Sequence, residues 1–442
     1  MNKILCGTTD TPSPASILYV METVADWQLA HPCGFDVFSH RPGDEHWELI
    51  RVSWDGVILG RRPCQVRPEL ADAPIAWRTL ARLERDDAPF CALPPAAQSA
   101  WIRETGLTAE NITRIQMLDG STCGWEMGVL YHGLLALDRV SKNSVYRSAL
   151  RLIGHANEWC LGARLYQADD HVAGYMYLDL YEERVASDER DFPILADVQA
   201  KFDWVMCHPA PQPMTIKAGQ RRWTWCDALF MSPPVWARLA RVTGDRAYLD
   251  FMDTEWWEVT RHLHSPADRL FFRDATFFDR RESNGTKVFW SRGNGWVLAA
   301  LARVLDEMPV DYASRPRYLE LFRDLSARII ELLPADALWR TSLLDPGAYP
   351  SPEVSGSALF CYALAWGVNH GHLDRARHAP LILQIWSALK NCVQPDGHLG
   401  YIQQPAASPG GAGPESTAPY GVGAFLLAGT EVHKLLLGTA AK

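Results

Sequence analysis

From residue 122 to 436 the sequence repeats one pattern: apolar residues at helical spacing, then a break, then another such run. That pattern most limits what the chain can become, because amphipathic helices in series have to bury their stripes against one another. The runs fall at 123–140, 144–159, 169–183, 195–206, 227–245, 245–263, 295–308, 315–333, 354–371, 374–393 and 419–436. A first helix at 13–30, opened by PSPAS and carrying Ile17, Val20, Val24 and Trp27, makes twelve. Pro233 and Pro234 fall inside 227–245, so its first turn is expected to be short or kinked.

The breaks alternate in character. VTGDRAY and NHGHLDRAR are short, glycine-containing turns that suit antiparallel helical hairpins. The stretches 207–226, 264–294, 335–353 and 394–418 are long and rich in Trp, Asp, Gly and Arg. Short turns at one end and long polar-aromatic loops at the other place the functional site at the long-loop end. Six hairpins predict an all-α fold, an (α/α)6 barrel that spans 1–442 as a single domain. Region 31–118 reads as an insertion or small subdomain within it. It holds a strand-like run, HWELIRVSWDGVILG, and a proline-rich segment, Pro68 to Pro95. No fixed-period repeat is visible, so a regular solenoid is disfavoured.

Composition narrows the function. A formal charge of −9 with no long basic run argues against a nucleic-acid partner. No run is long and apolar enough for a membrane span. The start, MNKILCGTTDTPSPAS, lacks the apolar stretch of a secretory signal. The ten cysteines are single, with no CxxC pair, which predicts free thiols and a cytoplasmic location. His132, His155 and His171 have no metal-ligand spacing, and GNG in RGNGW lacks the strand of a nucleotide loop. Neither metal nor organic cofactor is expected. Oligomeric state is not legible.

The densest chemistry lies between Arg221 and Trp296. Trp223, Trp225, Trp290 and Trp296 bracket Asp227 and Arg292, with the loop LFFRDATFF between them. Aromatic faces beside a few fixed charges suit a polar ring such as a sugar, whose apolar faces stack while its hydroxyls or carboxylate meet the charges. The competing reading makes these tryptophans core and Asp227 a helix cap.

WCDALFM, the helix ending in VTGDRAYLD and the following FWSRGNGW resemble family 105 of the glycoside hydrolases. GWEMGVLYHGLLAL, VSGSALFCYALAWGV and PYGVGAFLLAGTEV resemble its second, tenth and final helices. The resemblance covers helix 1 and 122–436, and it implies an (α/α)6 barrel. It also implies removal of a 4,5-unsaturated uronic acid from lyase-generated oligosaccharides by acid-catalysed hydration of the C4=C5 bond. By the same resemblance Asp227 is the catalytic acid. Asp169 or Asp170 supplies a second carboxylate, with Asp170 preferred. Arg292 forks onto the substrate carboxylate, and Trp290, Trp296, Trp225 and Trp125 line the ring. Many members carry a histidine where Arg273 stands; a guanidinium cannot shuttle protons, so Arg273 is expected to bind an anionic group instead. The expected partner is thus a small anionic oligosaccharide. The alternatives are a sugar epimerase or isomerase on the same barrel, which would need paired histidines, and a noncatalytic carbohydrate-binding protein.

Overall fold

Among the described residues of the computed structural model, twelve long helices form. It describes residues 12–30, 123–157, 159–186, 194–210, 214 and 222–438, and the backbone of four strands between 35 and 117. The proline-rich segment and the first eleven residues lie outside the described residues. The helices are α1 (Pro14–Ala30), α2 (Trp125–Asp138), α3 (Val145–Ala156), α4 (Gly174–Ala186), α5 (Ile194–Cys207), α6 (Pro233–Thr243), α7 (Ala247–Leu263), α8 (Ser291–Glu307), α9 (Arg315–Glu331), α10 (Val354–Asn369), α11 (Arg375–Lys390) and α12 (Pro419–Leu437).

Their packing is cyclic. The even-numbered helices touch in sequence, α2 to α4, α6, α8, α10 and α12, and α12 returns to α2. The odd-numbered helices lie outside this ring, each against its neighbours: α1 on α12 and α2, α9 on α8 and α10, α11 on α10 and α12. Two concentric rings of six helices make the (α/α)6 barrel, because an inner helix is covered on both sides and an outer helix on one. The sequence reflects this: α10 and α12 are apolar nearly all round and buried along their length, whereas α9 buries a single stripe, Tyr318, Leu321, Phe322, Leu325 and Ile329.

Ring closure depends on glycine at one crossing. A Cβ on Gly423 of α12 would sit 2.2 Å from the Val129 carbonyl oxygen of α2, and one on Gly133 would meet Gly423 oxygen at 2.5 Å. The backbones of first and last inner helices therefore touch directly. At the short-turn end, Gly244 caps α6 in the left-handed region, φ 75°.

Two helix starts differ from the sequence reading. The 169–183 run does not begin at Asp169: a 3-10 turn, Ala168–Asp170, and three turn residues precede Gly174. His171 fixes that break, its Nε2 bonding the Leu165 carbonyl at 2.9 Å and its Nδ1 meeting the Ser232 hydroxyl at 2.7 Å. The 295–308 run starts earlier, at Ser291, with Gly293 and Gly295 inside the helix. Their place is packing: a Cβ on Gly293 would lie 3.0 Å from Cys226 Sγ, and one on Gly295 would lie 3.1 Å from Leu359 Cβ. The proline pair acts as expected, splitting a single turn, Ala228–Met231, from α6 and occupying the first positions of the latter.

In region 31–118 the strands β1 (Phe35–Ser39), β2 (Trp47–Val52), β3 (Ile58–Cys64) and β4 (Ile112–Met117) form an antiparallel sheet of order β3-β2-β1-β4. The run HWELIRVSWDGVILG supplies β2 and the first three residues of β3, Ile58 to Gly60. Pro63 lies on β3, an edge strand, where a missing N–H is tolerated.

Candidate active site

The six inner helices all start at the long-loop end, and every site residue chosen from sequence lies at one of those starts or in the loop leading to it. Trp125 opens α2, and Asp169 and Asp170 form the turn before α4. Trp225 and Asp227 precede the turn into α6; Trp290, Arg292 and Trp296 begin α8. Helix N-termini present unpaired N–H groups and a positive potential, a setting that favours negative charge.

Backbone pairing brings Arg273 to Asp227. Trp225 and Asp274 form an isolated antiparallel bridge, and Cys226 N–H donates to the Arg273 carbonyl at 2.8 Å. The Arg273 guanidinium then places Nε 3.5 Å from Asp227 Oδ2, while Nη1 donates to Asp274 Oδ2 at 2.6 Å. Burial opposes ionisation of Asp274, but bonds from the Thr276 hydroxyl and N–H and from Arg273 overcome it and hold the carboxyl below its usual range. The Cys226 thiol is fully buried and lies 3.5 Å from Asp227 Oδ2. Burial first, and the Asp227 charge second, push its pKa well above the ordinary value, so it stays a donor.

The two aspartates of DDH separate in role. Asp170 turns back on its own loop: it accepts from Arg164 N–H at 2.8 Å, from Nε at 3.1 Å and from Nη2 at 2.5 Å. A Cβ on Gly162 would sit 2.4 Å from its carboxyl carbon, so the loop closes tightly over it. Asp169 instead faces Asp227. Burial first, then the charge of Asp227, raise its pKa from 3.8 to about 6, against a 3.1 Å bond from Gln167 Nε2. Asp170 is thus held by Arg164, whereas the charge of Asp227 acts on Asp169.

Arg292 is held by its own neighbours. Its side chain is wholly buried, with Nη1 donating to the Gln403 carbonyl at 2.6 Å and Nη2 to the Gln404 carbonyl at 3.0 Å. The guanidinium lies over Trp290, 4.4 Å from the ring centre, and near Tyr420, 4.9 Å. A fork already spent on two carbonyls is not presented to a substrate carboxylate. It pins the 403–404 segment, as do Trp290 Nε1, donating to Gln403 Oε1 at 2.8 Å, and Glu353, which caps α10 through Ser355 and Gly356 N–H and accepts from Gln403 N–H at 3.2 Å.

Of the expected aromatic walls, Trp225, Trp290 and Trp296 are buried at 3% exposure or less, and Trp223 is buried as well. Trp125 keeps a partly open face; it packs on Tyr420 at 4.7 Å and edge-on to Trp296 at 6.4 Å. The core reading wins for most of the tryptophans. Sequence reasoning missed Asp274, Glu353, Gln403 and Tyr420. Asp274 had a signal, Asp-x-Thr, which marks a side-chain-capped turn, and Glu353 stands just before a small-residue helix start. Gln403 had none. Among the described residues no group of His, Cys, Asp and Glu is arranged to hold a metal.

Paired carboxylates of unlike environment at the mouth of an α/α barrel suit acid catalysis on a carbohydrate, the chemistry of a glycosidase. The family model for Glycosyl Hydrolase Family 88 matches residues 102–436, and the chain belongs to that family. Over 325 residues it is 40% identical to an unsaturated 3S-rhamnoglycuronyl hydrolase of Formosa agariphila, covering 70% of this chain and 84% of the relative. Among solved structures it is similar to a glycosyl hydrolase family 88 protein from Bacteroides vulgatus, with TM-score 0.63 and 28% identity over 71% of this chain and 92% of that one. A possible member of family 105 from Salmonella enterica shares the fold over 98% of this chain and 97% of its own, at TM-score 0.62 and 15% identity. The expected glycosidase on an (α/α)6 barrel thus holds, with the family match falling in family 88.

Proposed function

We propose that the protein removes a 4,5-unsaturated uronic acid from lyase-generated oligosaccharides, and that the sugar next to it is a rhamnose. The observation that carries the reading is the Asp227–Asp169 pair, in which Asp169 keeps its proton to about pH 6. Hydration of an enol ether needs one carboxylic acid that is still protonated at working pH, and a like-charged neighbour in a desolvated site supplies it. Asp227 delivers the proton: its O–H bond breaks as C4–H forms, water oxygen adds to C5, and the proton of that water returns to the carboxylate. The hemiketal opens and expels the rest of the saccharide. Arg273, with Nε directed at Asp227 and unbonded, receives the uronate carboxylate or another anionic group of the substrate. Trp125 offers the ring a face. The name of the Formosa agariphila relative supports the uronyl-rhamnose linkage.

Against an isomerase, His132 and His171 are both buried and held uncharged by burial. A cytoplasmic location is part of the proposal, supported by the free thiols of the six described cysteines; among the described residues no helix is long and apolar enough to cross a membrane. The test is turnover of a lyase-generated unsaturated uronyl-rhamnose disaccharide, followed as loss of the conjugated-enol absorbance. Asp227→Asn should lower the rate at least about a hundredfold with the fold intact. A tenth of the wild-type rate in well-folded mutant protein would refute Asp227 as the acid.

A further inference from the structure

Four carboxylates and two guanidiniums meet at the site. Around Asp227 are Asp169, from the turn before α4 whose Asp170 pairs with Arg164, and Arg273 and Asp274 from the loop before α8, with the uncharged Cys226 thiol beside it. Arg292 and the Glu353 carboxylate are held together on the Gln403 main chain, and their opposite charges offset in this balance. With every group ionised the site is net negative, yet the substrate proposed above is an anion. An anion entering such a site meets repulsion unless a positive charge enters with it.

The geometry of Arg273 says how that charge arrives. Its Nη1 is fixed by Asp274, whose own position is fixed by Thr276. Its Nε makes no hydrogen bond and stands 3.5 Å from Asp227 Oδ2, too far and too poorly aligned for one. Arg273 is thus the counter-ion of Asp227 without being its hydrogen-bond partner. A carboxylate or sulfate that docks on the exposed part of the Arg273 side chain, 15% of its surface, takes up the charge that Asp227 was using.

We propose that Arg273 couples substrate binding to proton uptake: the substrate's anionic group draws Arg273 away from Asp227, and the Asp227–Asp169 pair then takes from solvent the proton that C4 receives. A histidine in place of Arg273 would carry the proton itself; a guanidinium cannot, so the proton has to land on the carboxylates. This rests on the hydrolase reading, because it takes the ligand to be a uronate.

The experiment is calorimetric titration of the intact protein with methyl β-D-glucuronide at pH 7, in buffers of different ionisation enthalpy. That uronide has no C4=C5 bond and is not turned over. Asp169 gives up its proton near pH 6 in the free protein, so uptake approaching one proton per site is expected at pH 7. The kinetic counterpart is a gap between two alkaline limbs. The one in kcat/KM, set by the free enzyme, should lie below the one in kcat, set by the complex. Arg273→Gln removes the counter-ion from the free protein, so its kcat/KM limb should rise by about 1 to 3 pH units towards the kcat limb.

Wild-type protein that turns over the unsaturated disaccharide but binds the uronide without proton uptake would overturn the coupling and leave the hydrolase reading intact. A gap unchanged in Arg273→Gln would overturn it also. Proton-coupled uronide binding without turnover would count against the hydrolase reading alone. The wild-type titration needs no variant, so misfolding of Arg273→Gln would leave the test standing.

Discussion

Asp169→Asn should make this protein more stable while destroying its chemistry. In the folded protein the Asp169 carboxyl has a pKa of about 6 against an ordinary 3.8, with burial as the first cause and the Asp227 charge as the second. A folded-state pKa above the unfolded one means that the native state binds the proton more tightly. Stability is therefore highest below about pH 4, falls as pH rises through the interval to 6, and reaches its full deficit above that. A shift of roughly two units corresponds to about 3 kcal/mol. Asparagine has no charge to desolvate, keeps an oxygen that accepts from Gln167, and removes the repulsion with Asp227. Urea denaturation of both proteins from pH 4 to 8 measures the effect. The variant should gain little at pH 4 and of the order of 3 kcal/mol at pH 7.5, with turnover lost. An Asp169→Asn protein no more stable than wild type at pH 7.5, or a difference that does not grow with pH, would refute the account of a strained carboxylate pair.

Arg292→Lys should cost about 2 kcal/mol of stability, because one ammonium cannot hold both the Gln403 and Gln404 carbonyls; faster amide exchange or proteolysis in 403–418 would report it. Gly423→Ala should destabilise by about 3 kcal/mol or fail to fold, as the added methyl meets backbone at 2.2 Å, and a urea midpoint equal to wild type would contradict the close α2–α12 crossing. Activity should survive exhaustive dialysis against a chelator; loss that a divalent ion restores would show a metal requirement. Arg273→Ala should change relative rates across a panel of unsaturated disaccharides more than the rate on the best one, and an identical ranking would remove Arg273 from substrate selection.

The barrel was legible because helical periodicity and loop length are local properties. α9 and α10 differ in how much of their circumference is apolar, and that already separates outer from inner helices. The start of α8 was not legible: Ser-Arg-Gly-Asn-Gly reads as a loop by propensity, and the residues are helical because Cys226 and Leu359 leave no room for side chains at the two glycines. The site was legible in its members more than in their roles. Asp227 and Arg273 were named from their motifs, and the bridge between Trp225 and Asp274 brings them within 3.5 Å. Asp169 and Asp170 are adjacent, equally acidic and equally suited to a helix start, so nothing in the sequence separates them.

What the sequence by itself determined is the kind of protein: twelve amphipathic helices, their long loops at one end, and an acid and an arginine in motifs shared with one family of glycosidases. Tertiary structure decided which charges are free to act. Arg292 looked like a substrate fork and is consumed by the carbonyls of Gln403 and Gln404, more than a hundred residues away in the chain. Asp170 is consumed by Arg164, while Asp169, one residue earlier, is partly buried and under the charge of Asp227. A side chain's charge is written in the sequence, but its availability depends on which neighbours have already taken its hydrogen bonds and how much water has been removed from around it. Both are set by the packing of segments distant in the chain.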